Sequence, residues 1–404
     1  MTKLLSTLLV LAVAAGSACA KTWVLTGGTI HPVSSEPIEG GTIVFDKTGI
    51  LAIGTDVAAP EGAKTVDCSG KHIYPSLIAP HSQLGLIELP SVRATVDTTE
   101  AGPLNPNATA HKAFNPDSEV IPVTRSNGVL LALVAPSGGL LSGQSSLMRL
   151  SGWTWEDMLL EPSVALNVSW PSARRADSLA ELKKLFDDVR TYRVAREASP
   201  DTTPIDLRWE AMLPVLDGER PLMVEADGLA EIEAAVAFAT WQKVKLIILG
   251  GYDAPLCAPL LKEYNVPVVV SSIHRLPLRR TDPYDAPYSL PERLRAAGVT
   301  YCIGGDGRFA SNVRNLPYHA ATAVAYGLPA DEALKSITLY PAQILGVADR
   351  VGSLEKGKEA TLFVTDGDPL ETPTQVLDAY VAGEKVDLMD RHKRFYEHFK
   401  QRLE

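Results

Sequence analysis

"PLMVEADGLAEIEAAVAFATWQKVKLIILGG", residues 221–251, decides how the chain is built. An apolar run of strand length gives way to apolar residues at helical spacing over 229–241, and then to a second apolar run, "KLIILGG". Two near-continuous Val/Ile/Leu strands joined by a helix are the unit of a parallel sheet covered on both faces.

The same alternation extends to either side. "GVLLALVAP" and "ALNVSW" come before it, the second followed by a helix over 178–198. After it come a helix over 254–264, "VPVVVSS", a helix over 290–297, "TYCIGG" and a helix over 313–326. Together with the apolar run that ends at His81, about 270 residues of β-α repetition predict an α/β fold: a (β/α)8 TIM-like barrel over residues 75–348. About six strands after the first stand out. Residues 88–125 are polar and contain proline, and read as a long irregular loop over the barrel mouth.

The ends have another texture. Between residues 21 and 74, short β-rich runs such as "TWVLTGGTIHP" and "GGTIVFDKTG" are cut by glycine, and the pattern returns in "VGSLEKGKEATLFVTDGDPL" and "DAYVAGEKV". Residues 21–74 and 349–386 are therefore expected to build one small composite β-sandwich. Residues 387–404, including "MDRHKRFYEHFKQRLE", read as a solvated closing helix, with binding to an acidic surface as the alternative.

The first 20 residues, "MTKLLSTLLVLAVAAGSACA", combine Lys3, an apolar run and Ala18-Cys19-Ala20, the pattern of a cleaved export signal. Cleavage after Ala20 and a periplasmic or extracellular location are expected. The run is shorter than a membrane-spanning helix, so no stable membrane insertion is expected. Lipidation at Cys19 is a minor alternative, since Gly16 stands where a lipoprotein signal carries an aliphatic residue.

Formal charge is −10, with 38 basic and 48 acidic residues, and becomes −11 once Lys3 leaves with the signal. Such a surface repels a phosphate backbone, so nucleic acid is not an expected partner. Cys68, Cys257 and Cys302 are widely spaced with no CxxC, which excludes a disulfide framework or a thiolate zinc site and points to buried thiols. No GxSxG elbow exists, because Leu147 follows Ser145 and Ser146 where the closing glycine belongs, and there is no phosphate-binding GxxxxGK[ST] or GxGxxG. Asn107 and Asn167 begin glycosylation sequons.

A barrel places its chemistry at the carboxyl ends of its strands. Those ends carry His81 and Gln83, Glu225 and Asp227, Gly250 and Gly251, His274, and Asp306. Glu225 and Asp227, two apart on a strand, face one way and suit acid–base work or a solvated loop. His274 with Arg275 would suit an anionic substrate. His81 has an alternative as a buried histidine at the barrel mouth, and Asp306, between glycines, as a turn residue.

Taken with "YPSLIAPHSQLGL" (74–86) and "ALKSITLYPAQILGVADRVGSLEKGKEATLFVTDGDPL" (333–370), these features resemble the amidohydrolase superfamily, especially imidazolonepropionase-like members with an export signal. The resemblance implies a first strand ending "PGLIDxHxH", whose two histidines bind a divalent metal. Here Ser76 stands for the glycine, Ala79 for the aspartate, His81 for the first histidine and Gln83 for the second. It also implies histidines near Glu225 and near Gly250 or Gly251, yet no histidine lies between His111 and His274, and "ALNVSW" holds no bridging lysine. Asp306 matches the strand-eight aspartate that binds metal and takes the proton from water.

The implied protein is a pseudoenzyme with a decayed binuclear centre and no cofactor. It would bind a small-molecule ligand or a partner through the barrel mouth, with Gln83, Asp227, His274 and Arg275 on the binding side. The alternative is an active hydrolase of C–N bonds in cyclic amides, with Asp306 and Glu225 catalytic and at most one Zn held by His81 and Asp306. Homo-oligomerisation is left open.

Overall fold

The computed structural model describes residues 21–170, 176–307 and 309–402; the expected export signal lies outside them. Five short strands come first: β1 (Trp23–Ile30), β2 (Ile38–Asp46), β3 (Gly49–Gly54), β4 (Lys64–Asp67) and β5 (His72–Pro75). β2 and β3 form a hairpin whose turn is fixed by Asp46, which accepts the Thr48 N–H at 2.7 Å and its hydroxyl at 2.6 Å. Gly49 follows with φ +126°, and a Cβ there would stand 2.5 Å from the Lys358 carbonyl oxygen, so only glycine fits.

Eight strands of a second sheet follow: β6 (Leu77–Ser82), β7 (Val129–Val134), β8 (Leu141–Arg149), β9 (Leu159–Val168), β10 (Leu222–Ala226), β11 (Leu246–Gly250), β12 (Val268–Val270) and β13 (Tyr301–Ile303). They are laddered in chain order, and from β9 to β13 every pair is parallel. The seam between the first and last strands is stitched at both ends. Ile78 N–H donates to Ile337 O (2.9 Å) and Ile303 N–H to Ser336 O (3.0 Å) near one end, while Gln83 N–H donates to Gly307 O (3.0 Å) at the other. The result is a nearly closed TIM-like barrel.

Strict β-α alternation fails in one place. β8 pairs antiparallel with both β7 and β9, so the third strand arrives through a hairpin instead of a helix. The sequence "LSGQSSLMR" hid it, because its polar residues are buried against distant partners. The Gln144 side chain donates to Pro106 O at 2.8 Å, and Ser146 Oγ lies 2.8 Å from His111 Nδ1. Those partners belong to the long loop over 88–125, which lies along the mouth end of β8 and bridges to it at Leu104 and Thr109.

Inside the barrel, Ile78, Leu131, Leu147, Ala165, Met223, Ile247, Val269 and Cys302, one from each strand, pack with Ala342, Leu345, Val347 and Val351. Burying each larger side chain contributes about 1.5–3 kcal/mol, and the layer closes the barrel beneath its mouth.

The chain then returns to the first sheet with β14 (Leu362–Thr365), β15 (Val376–Val381) and β16 (Glu384–Val386), β14 pairing antiparallel with β5. The expected sandwich is instead a single eight-stranded sheet that curls on itself. Tyr380 of β15 packs edge-on against both Trp23 of β1 and Phe45 of β2, at 5.1 and 5.0 Å, although neither strand is its ladder neighbour. A last helix, Arg391–Lys400, is capped by Asp390 and buries none of its residues.

Candidate functional site at the barrel mouth

Stepping two residues along each strand from the packed inner layer leads to the mouth. From Met223 the step reaches Glu225, from Ile247 it reaches Leu249, and from Val269 it reaches Ser271. His81 joins them because the β6–β7 register shifts between Ala79 and Ser82, around Pro80. Gly305, Asp306 and Gly307 complete the ring after β13.

His81, Glu225, Ser271, Ser272 and Asp306 thus surround one cavity of about 20 Å³, room for a single water. Asp306 accepts a hydrogen bond from the Asn312 amide at 3.2 Å. An imidazole, two carboxylates and two hydroxyls can hold and orient a water.

The remaining sequence candidates lie elsewhere. Gln83 follows the end of β6, and its amide donates to Ser137 Oγ at 3.1 Å, so it and His81 do not share the cavity. Asp227 and Arg275 form an ion pair at 2.7 Å, with Arg275 packed over the Tyr252 ring. Tyr252 donates its hydroxyl to Asp282 at 2.9 Å, and Arg279 pairs with the buried Asp253. Burial pushes the Asp253 carboxyl up, but hydrogen bonds from Arg279 and the Leu229 N–H outweigh it and hold the group below its ordinary range. This network ties together the loops after β10, β11 and β12, and it neutralises the charge that would have met an anionic substrate.

His274 turns away from the cavity. Its Nε2 lies 2.8 Å from Thr322 Oγ1, and its ring stacks at 4.0 Å on His319. His319, which sequence reasoning did not single out, is buried on the helix Leu316–Ala325 behind Gly305. Burial, then the neighbouring His274, pushes its pKa down to about 3. The available signal was a lone histidine in the apolar run "LPYHAATAVA".

The donor set does not fit a pair of metal ions. At the fourth strand end, Asn167 donates its amide to Gly143 O at 2.9 Å, a structural bond. At the sixth, Gly250 has φ +110°, and a Cβ would stand 2.7 Å from Asp227 Oδ1, so no ligand side chain can occupy the position. Among the described residues, no group of three or more His, Cys, Asp or Glu could hold a metal ion.

Residues 259–387 match the amidohydrolase family. The architecture also superimposes on the crystal structure of an amidohydrolase from Thermotoga maritima MSB8, with a TM-score of 0.81 and 25% identity, covering 90% of this chain and 99% of that one. The chain belongs to the amidohydrolase superfamily.

Within this superfamily it is imidazolonepropionase-like: the imidazolonepropionase of Mesorhizobium japonicum is 23% identical over 380 residues, 84% of this chain and 89% of that protein. The amidohydrolase tasK of Hapsidospora irregularis is 24% identical over 365 residues, 80% of this chain. The match spans 37% of that longer protein.

Proposed function

We propose that this amidohydrolase-superfamily protein is an exported, non-catalytic member that binds a ligand or partner at its barrel mouth. The observation that supports this most is the content of the cavity: it has room for about one water, and neither Gln83 nor Gly250 supplies the donor that a metal pair would need there. Exposed Leu276, Leu278, Tyr284 and Phe309, on the loops after β12 and β13, give the mouth an apolar rim suited to a partner.

A second reading is favoured by the same cavity. His81, Glu225 and Asp306 do converge on a cavity with room for one water, and Asp306 as general base would then serve hydrolysis of a C–N bond in a cyclic amide. Tag-free mature protein, dialysed without chelator, separates the two readings by elemental analysis and by turnover of cyclic amides with added zinc. No turnover and fewer than two retained ions per chain are expected. Turnover abolished by Asp306→Asn, or two tightly held ions, would overturn the non-catalytic reading. Export rests on the N-terminal 20 residues, and mass spectrometry of the protein from its own host should find Lys21 first.

A further inference from the structure

We propose that the closing helix Arg391–Lys400 docks the protein on a membrane surface, laying an aromatic stripe into the headgroup layer of a bilayer rich in anionic phospholipid. Arg391, Phe395, Phe399 and Arg402 follow one another at intervals of four, four and three residues, so they form one stripe along the helix and the turn that closes it. Residues 391–402 hold five basic residues against one acidic, Glu397, while the whole chain holds 38 against 48. The charge of this segment is thus opposite to that of the protein.

The stripe is open to solvent. The helix buries none of its residues, and Phe395, Tyr396 and Phe399 are 47%, 64% and 49% exposed. The helix is nonetheless held to the body of the protein: Asp390 accepts the Lys393 N–H at 2.9 Å, and Arg394, on another side of the helix, pairs with Glu119 at 2.8 Å. Along the stripe the Arg391 guanidinium lies 5.3 Å over Phe395 and that of Arg402 4.8 Å over Phe399. Each ring that enters a headgroup layer therefore brings with it a cation that can meet a phosphate.

The flank adds charge of the same sign. Met389, 42% exposed, stands just before the helix, and the cleft beside it is lined by Lys21, Lys64, Lys385 and Lys393 against Asp378 and Asp387. Lys21 and Lys64 both stand over the Trp23 ring, at 4.5 and 4.9 Å. Rings and cations alternating along an uncovered helix suit a deformable surface into which the whole stripe can sink. The negative potential of an anionic leaflet would draw this end of an otherwise acidic protein towards it. Among the described residues no helix is long and apolar enough to cross a membrane, so the contact is interfacial. None of these residues lines the mouth cavity, so docking and binding at the mouth are separate.

The test is flotation of tag-free mature protein with vesicles of phosphatidylcholine containing about one-third phosphatidylglycerol, and with vesicles of phosphatidylcholine alone. Binding to the first is expected, and binding at least about tenfold weaker both to the second and in about 0.5 M NaCl, where salt shortens the reach of charge. Phe395→Ser combined with Phe399→Ser, and Arg391→Glu combined with Arg402→Glu, should each weaken binding to the anionic vesicles at least about tenfold. Both should leave the melting midpoint unchanged, since all four side chains are exposed. No binding to the anionic vesicles, or binding that either pair of substitutions leaves intact, would overturn the proposal. Loss of binding with the glutamate pair but not with the serine pair would make the helix an electrostatic contact for an acidic protein instead. A dimer in sedimentation equilibrium that the serine pair dissociates would also overturn it, with a second copy as the occupant of the stripe.

Discussion

Replacing Arg149 with alanine asks whether the barrel and the small sheet are held together through a buried charge. Arg149 ends β8, and Glu359 stands just before β14. Arg149 Nε donates to Glu359 Oε1 at 3.0 Å and Nη2 to Oε2 at 2.6 Å, with the two side chains only 16% and 14% exposed. Arg149 Nη1 also donates to Leu159 O at 2.8 Å, and Glu359 accepts the Thr361 hydroxyl at 2.7 Å. Alanine would leave the carboxylate in place with one hydroxyl donor and no counter-charge.

Removing one member of a buried pair costs about 3–5 kcal/mol, whereas replacing both with apolar groups of similar volume is often neutral. An unfolding entropy of about 2.1 cal/mol/K per residue over roughly 380 residues converts that cost into a midpoint about 4–6 °C lower, provided the two sheets unfold together. Scanning calorimetry at pH 7 should show this shift for Arg149→Ala and recovery of most of it in Arg149→Met combined with Glu359→Leu. An unchanged midpoint in the single variant, or a double variant as unstable as the single, would refute the reasoning.

Two further predictions concern buried titratable groups. His319, pushed down to about 3 by burial and by His274, stays neutral in the folded protein but takes up a proton when unfolded below its ordinary value of about 6.5. Its contribution is complete above pH 6.5 and is lost as pH falls from there towards 3, so melting midpoints between pH 7 and pH 4 should fall less steeply for His319→Leu than for the wild type. Equal slopes would rule this out. Cys68, Cys257 and Cys302 are buried, and burial raises all three thiols, Cys68 to about 11. Ellman's reagent at pH 8 should therefore modify none of them in the folded protein and all of them in guanidinium; rapid labelling of the folded protein would contradict their placement.

Much of the barrel was legible because its signal is local. From β9 to β13 the strands announce themselves as unbroken apolar runs and the intervening helices as 3.6-residue periodicity, and each is encoded in neighbours along the chain. The position of Glu225 was legible in the same way, two residues beyond an inward-facing methionine. β8 was not, because Gln144 and Ser146 interrupt any apolar run there, and the Pro106 and His111 that supply their hydrogen bonds lie more than 30 positions away.

The site shows the same division. Two-residue alternation put His81 and Gln83 on one face, but the register shift around Pro80 and the end of β6 at Ser82 separate them, and Gln83 turns to Ser137, 54 positions away. The sequence by itself determined which strand ends carry donors and that the second strand-one histidine is a glutamine. Only the tertiary structure decided that His81, Glu225 and Asp306 meet, that Asp227 and Arg275 cancel each other, and that His319 lies buried against His274. Periodicity is a property of adjacent residues, while a side chain's partner is chosen by contacts between segments far apart in the chain, and those exist only once the sheet has closed.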